Sequence, residues 1–268
     1  CPECKKLAAE GKRPKTKTIS GTDRFIRIQG SPDLTAEDLI GDIDPIKALR
    51  HGPMSLESFT PGKLFKANNG VLFFDELNRC PEKLQNALLQ VLQERTATIG
   101  SYDVDLEANF MFIATMNPED SSTEVISEVL LDRFDMLYME YPETIEMEGE
   151  IVHRYGKQFV EFPPGQLHLA VLFIRMLRAS DKLEKFPSVR ASLGLYERAG
   201  TNALLRGKTK VDWSDIQEAM LSVVAHRIKL KPSVQFLQSP HDYLKQTLEE
   251  FEDEHSEEFE KAKKGGGL

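Results

Sequence analysis

The chain has 268 residues, 40% hydrophobic and 29% charged, enough for one large domain or two smaller ones with a real core. That composition excludes collagen, a disulfide scaffold and a wholly disordered chain, and no run approaches the ~18 consecutive apolar residues of a membrane span. With 34 Lys+Arg against 43 Asp+Glu, a formal charge of −9, a chain-wide nucleic-acid or anionic-membrane footprint is also excluded.

The chain opens on Cys1 rather than Met, with no signal peptide, which predicts a piece of a longer protein. Its three cysteines suit a reducing compartment and predict a cytoplasmic location. Residues 1–17 hold six basic residues against two acids, and residues 5–20, basic and poor in large apolar residues, read as a linker or loop. Cys1 and Cys4 form a C-P-x-C pair, the spacing of half a tetrahedral zinc site. Two further ligands would have to come from elsewhere; the alternative is a pair of exposed thiols.

Residues 24–29 alternate Phe25, Arg27 and Gln29 with Ile26 and Ile28, which predicts a short strand. A short helix follows over 35–40, with Thr35 and Asp38 spaced as a capping box. Residues 71–74 (VLFF) run apolar without alternation into Asp75-Glu76, as in a strand buried on both faces of a parallel sheet. Pro81 then opens a helix whose Leu84, Leu88, Val91 and Leu92 form one stripe. Cys80, beside Pro81, reads as a packed small residue rather than a ligand. Residues 98–106 predict a hairpin around Gly100-Ser101. A second buried strand, 110–114, ends at Thr115-Met116-Asn117-Pro118. A helix near 124–131 leads to Asp132-Arg133-Phe134, and a further strand is expected over 136–141.

From 143 to 228 the pattern is helical, broken at Pro163-Pro164-Gly165, with helices over 166–178, 189–206 and 213–229. Asp212 or Ser214 would cap the third. Residues 249–268 hold eight acids and three lysines, so most of the net charge sits in a tail that reads as a solvated helix or a disordered end.

An apolar strand ending in two carboxylates places both at the edge where open parallel sheets bind ligands. Asp75 could hold Mg²⁺ there and Glu76 could polarise a water, although the same pair can simply open a solvated loop. Asn117, ending another buried strand, would lie beside them and could orient a water or phosphate; as a turn residue before Pro118 it would do neither. Arg133 could form a surface ion pair or reach a phosphate on a neighbouring subunit. Arg190, at the start of a helix, carries no signal alone.

In combination, GVLFFDELNRCPEKLQNALLQVLQER, FIATMNPED, LLDRFD and SVRASLGLYERAG resemble AAA+ ATPases of the MoxR and magnesium chelatase ATPase-subunit group, over residues 22–229. SPDLTAEDLIGDID and FTPGKLFKANNGVLFFDE look especially like the chelatase branch. The resemblance implies a fold of the α/β class: a partial phosphate-loop NTPase (AAA+) parallel sheet with helices on both faces, then a small all-α lid domain. It divides the chain into a basic cysteine segment (1–20), the AAA+ core (21–142), a linker (143–165), the lid (166–232) and an acidic tail (233–268). It implies Asp75 on Mg²⁺ in the Walker B motif, Glu76 as catalytic base and Asn117 as first sensor. Arg133 would be an arginine finger acting in trans, and Arg190 the second sensor, on the lid. Residues 42–60 would correspond to the helix-2 insert and 96–106 to the hairpin before the first sensor.

The family's G-x-x-x-x-G-K-[ST] phosphate loop does not occur in this sequence. It is expected upstream of Cys1, on a strand lying between those that end at Tyr141 and Ala114. The chain by itself is then expected to be inactive. The resemblance implies an ATP- and Mg-dependent ATPase forming a homo-oligomeric ring that remodels a partner or drives metal insertion, with a von Willebrand A-type partner subunit, and neither nucleic acid nor membrane. One alternative is a helicase-type DNA motor, disfavoured because the hairpin carries Asp103 and Asp105 and no cation. Another is a scaffold that cannot bind nucleotide.

Overall fold

The computed structural model describes residues 7–13, 16, 18–53, 55–98, 105–117 and 126–263. The chain divides into two compact units, residues 1–136 and 137–268.

In the first unit β1 (Phe25–Gln29), α1 (Ala36–Leu39), β2 (Gly41–Ile43), α2 (Pro45–His51), β3 (Phe59–Pro61) and α3 (Lys63–Lys66) lead to β4 (Val71–Asp75). After it come α4 (Glu82–Glu94), β5 (Thr96–Thr98), β6 (Asp105–Glu107), β7 (Met111–Ala114) and α5 (Glu128–Leu131). Strands β1, β4 and β7 form a parallel sheet with β4 in the middle. Gln29 stands beside Asp75 in the register, and Phe74 beside Ala114. Parallel neighbours need long crossovers. The first holds the antiparallel β2–β3 ribbon with α2 inside it, and the second holds the β5–β6 hairpin. The turn expected at Gly100-Ser101 lies outside the described residues.

Local chemistry sets these boundaries. Asp38 donates its N–H to the Thr35 hydroxyl and accepts the Thr35 N–H, closing the capping box that the spacing predicts. Pro81 stands one residue outside α4, at the cap, rather than at the first helical position. Leu84, Leu88 and Val91 of α4 bury against Ile28, Leu72 and Phe74 of the sheet, together with Leu39, Leu64 and Leu130. Each such side chain contributes about 1.5–3 kcal/mol on leaving water.

Two expectations change here. The VLFF run predicts burial on both faces, but Leu72 and Phe74 are fully buried while Val71 and Phe73 are half-buried. Alternate residues face the other side of the sheet, where Phe73 stacks on Phe25 at 5.9 Å and Met111 and Ile113 are exposed. Residues 136–141, expected as a strand, form no ladder among the described residues. A strand needs a neighbour for its backbone groups, and Leu137, Tyr138 and Met139 lie exposed.

The second unit runs α6 (Ile145–Tyr155), α7 (Pro164–Ala179), β8 (Leu183–Lys185), α8 (Val189–Leu205), α9 (Trp213–Val224), β9 (Lys229–Leu230), α10 (Pro232–Gln235), α11 (Pro240–Glu254) and α12 (Ser256–Lys263). Leu169, Phe173, Ile174, Leu195, Ile216, Met220 and Val224 fill its core. Ser188 caps α8, and Asp212 caps α9 in a box with Asp215. The α-helix expected over 213–229 stops at Val224 and tightens into a 3-10 turn over Ala225–Arg227, after which Lys229–Leu230 pairs with Leu183–Lys185 as a short antiparallel ribbon. Residues 143–165, read as a linker, contain α6, whose Glu148 is wholly buried against α7 and α8.

The acidic tail is also more than a solvated end. Tyr243, Leu244, Thr247 and Phe251 of α11, with Phe259 and Ala262 of α12, are buried in this unit's core. The Phe251 ring meets Phe173 edge-on at 5.3 Å. Helical spacing puts those side chains on one face and leaves most of the acids for the other, while Glu252 turns inward to accept from Trp213 Nε1 at 2.7 Å. Among the described residues no helix is long and apolar enough to cross a membrane.

Candidate active site

The middle strand β4 delivers Asp75 and Glu76 to its C-terminal end, and both are half-buried. Glu76 turns the chain with φ 55° and ψ 54°, left-handed values that a non-glycine residue adopts at a cost. Thr115, just past β7, ties the turn down: its carbonyl accepts the Leu77 N–H at 2.9 Å and its hydroxyl oxygen accepts the Glu76 N–H at 3.0 Å. The same hydroxyl donates to Asp75 Oδ1 at 2.6 Å.

From the other side β1 reaches over. Arg27 Nη2 donates to Asp75 Oδ2 at 2.5 Å, and Gln29 Nε2 donates to Glu76 Oε2 at 2.9 Å. Arg79 adds a cation, its Nε 3.4 Å from Glu76 Oε2. Asn78 Nδ2 donates to the Asn117 carbonyl at 2.9 Å, which anchors the loop after β7. Two carboxylates thus stand side by side, gripped by hydrogen-bond donors from both flanking strands.

The chain after β1 passes close to this turn. The Gly30 N–H donates to the Asp75 carbonyl at 2.7 Å, and a Cβ on Gly30 would lie 2.0 Å from the Glu76 carbonyl oxygen. Gly30→Ala should therefore push the Glu76 peptide aside and destabilise the first unit by about 1–3 kcal/mol, the usual scale of overpacking. Urea unfolding of the variant against the parent measures it.

The structure places Asp75 and Glu76 at the end of β4, while Asn117 lies three residues past β7, where its carbonyl accepts from Asn78. Arg133 and Arg190 stand on other elements. Arg133, exposed after α5, donates to the Val129 carbonyl and to Gln93 Oε1, the latter at 3.4 Å. Arg190 is exposed in the first turn of α8, within the second unit. Sequence reasoning missed Arg27, Gln29 and Thr115. A signal existed for the first two, since strand alternation puts them on one face.

Residues 11–136 match the ATPase family associated with various cellular activities (AAA), and residues 185–246 match the AAA lid domain. Together the two matches cover well over half of the chain.

The chain belongs to the AAA ATPases.

Within them it groups with MoxR and magnesium chelatase proteins. This AAA chain is 32% identical over 248 residues to Chaperone MoxR1 of Mycobacterium tuberculosis, across 80% of its own length and 62% of that protein. It is 26% identical over 286 residues to a magnesium-chelatase subunit ChlI homolog of Methanocaldococcus jannaschii, across 96% of its own length and 74% of that protein. It thus spans less than two thirds of MoxR1. The crystal structure of NtrX from Brucella abortus shares the fold alone, at 17% identity and a TM-score of 0.50 over 91% of this chain and 52% of that one.

The donors at the AAA site fit magnesium. Asp75, Glu76 and the Thr115 hydroxyl are hard oxygens, and magnesium is held by one or two carboxylates plus substrate phosphates rather than by a full protein cage. Among the described residues no group of three or more His, Cys, Asp or Glu could hold a metal ion. Cys1 and Cys4, the candidate zinc half-site, lie outside the described residues. Cys80 is fully buried, and burial pushes its thiol up to about 11, as befits a packed apolar residue.

Proposed function

We propose that the protein is a magnesium-dependent ATPase subunit whose hydrolysis remodels a partner protein or drives metal insertion. The observation that carries this reading is the Asp75-Glu76 pair at the C-terminal end of the middle parallel strand, held by donors from both neighbours. Asp75 would hold magnesium, which when bound neutralises charge on the phosphates. Glu76 would accept a proton from the attacking water, with Gln29 fixing which carboxylate oxygen is free to do so. Asn117 would orient the water or the terminal phosphate. Arg190, on the helical lid, would contact bound nucleotide as a second sensor. The names of the relatives, a chaperone and a chelatase subunit, support the two uses of the hydrolysis.

Arg133 would act on the nucleotide of the next subunit in a homo-oligomeric ring, and a von Willebrand A-type partner would receive the motion. The exposure of Arg133 supports this, because a finger must reach another subunit's site, and doing so would release its bonds to Val129 and Gln93.

The test mixes two variants of the full-length protein, since no G-x-x-x-x-G-K-[ST] pattern lies in these residues. Arg133→Ala and Glu76→Gln should each be inactive alone. In equal mixture about a quarter of the sites in a ring pair an intact Glu76 with a neighbour's intact Arg133, so phosphate release should return to that order. A mixture as silent as its parts would sink the trans role.

A further inference from the structure

Asp75 already has a cation. Arg27 crosses from β1 to place Nη2 2.5 Å from Oδ2, while Thr115 from the β7 side donates to Oδ1 at 2.6 Å. Both oxygens that could meet a metal therefore accept hydrogen bonds from flanking strands. Arg27 is not there to fill the core: its side chain is 62% exposed, and its guanidinium lies over the Phe73 ring at 6.0 Å. With Arg79 beside Glu76, the adjacent carboxylates are matched by two guanidinium groups.

We propose that Arg27 is a resident cation that competes with magnesium for Asp75. Without metal it neutralises the carboxylate and holds it in place; a divalent ion binds only as the guanidinium yields Oδ2. Two like charges cannot share one carboxylate oxygen without mutual repulsion. Arg27 is thus a positioning residue that sets the metal affinity of the site. The inference rests on Asp75 being the metal-holding residue.

The test titrates Mn²⁺, a paramagnetic stand-in for magnesium, into the nucleotide-free full-length protein and reads the free-ion EPR signal. Arg27→Gln, which keeps a donor and removes the charge, should tighten Mn²⁺ binding about tenfold, the scale on which one nearby charge changes a carboxylate's affinity for a proton. Arg27→Met should do the same, and Arg27→Lys, which keeps the charge, should stay near the parent. Adding Asp75→Asn to Arg27→Gln should abolish the gain. Equal affinity in parent and Arg27→Gln, with Asp75→Asn still weakening binding, overturns the competition alone. Binding that ignores Asp75→Asn overturns the metal role of Asp75, and the competition with it.

Discussion

On the proposed function, Glu76→Gln should cut ATP turnover by about 10²–10⁴-fold in a protein that carries the phosphate loop, the range attributed to a positioned general base. Nucleotide binding should be nearly unchanged. The substitution keeps the volume and the left-handed backbone at this position, and the new amide oxygen can still accept from Gln29 Nε2 at the distance now held by Glu76 Oε2, 2.9 Å. What is lost is the capacity to take a proton. Phosphate release and nucleotide titration must be measured separately. A fall in both together would mean that the turn had collapsed, and unchanged turnover would remove Glu76 from the chemistry.

The second large effect lies in the helical unit. Glu148 is wholly buried, and its two oxygens accept from Arg178 at 2.6 and 2.8 Å and from the Ser192 hydroxyl at 2.5 Å. Arg178 is itself 9% exposed, and its Nε donates to the Pro187 carbonyl at 2.7 Å. One charge cluster thus joins α6, α7 and the entry to α8, the helix that carries Arg190. Glu148→Ala strands a guanidinium in the interior, and should cost about 3–5 kcal/mol. Replacing Glu148 and Arg178 together, Glu148→Leu with Arg178→Met, should recover most of that loss, because it removes two desolvated charges and leaves only Arg175, 3.8 Å from Glu148 and 27% exposed, to turn to solvent. Urea unfolding of the single and double variants decides the matter. A single variant that loses less than about 1 kcal/mol would show that the pair does not hold these helices together.

Much of the site could be read from residue order, because its parts are strand ends. VLFF running into Asp75-Glu76, and the apolar strand before Thr115-Met116-Asn117, put chemistry at chain positions that a parallel sheet must bring together. What residue order did not contain was register. Arg27 and Gln29 share a face by alternation, but that they meet Asp75 and Glu76 follows from Gln29 pairing beside Asp75. Thr115 was passed over for Asn117, although the hydroxyl two residues earlier is the group that touches both Asp75 and the Glu76 N–H.

Elsewhere the misses have other causes. The eight acids of residues 249–268 drew attention from the spacing of Tyr243, Leu244, Thr247 and Phe251, which was legible as a buried face. The strands Leu183–Lys185 and Lys229–Leu230 are too short to carry any period. Residues 136–141 look like a strand by composition, but strandedness depends on a neighbour, and composition does not supply one.

The turn at Glu76 has a practical consequence. Glycine, and to a lesser degree asparagine, accepts left-handed backbone with little penalty, while other residues pay roughly 1–2 kcal/mol there. A campaign selecting variants of this protein for heat resistance alone would be drawn to Glu76→Gly or Glu76→Asn as easy gains. Each would relax the chain by discarding the carboxylate. Any search for a hardier version should hold this codon fixed, or score turnover beside melting temperature, since at this position the two goals pull apart.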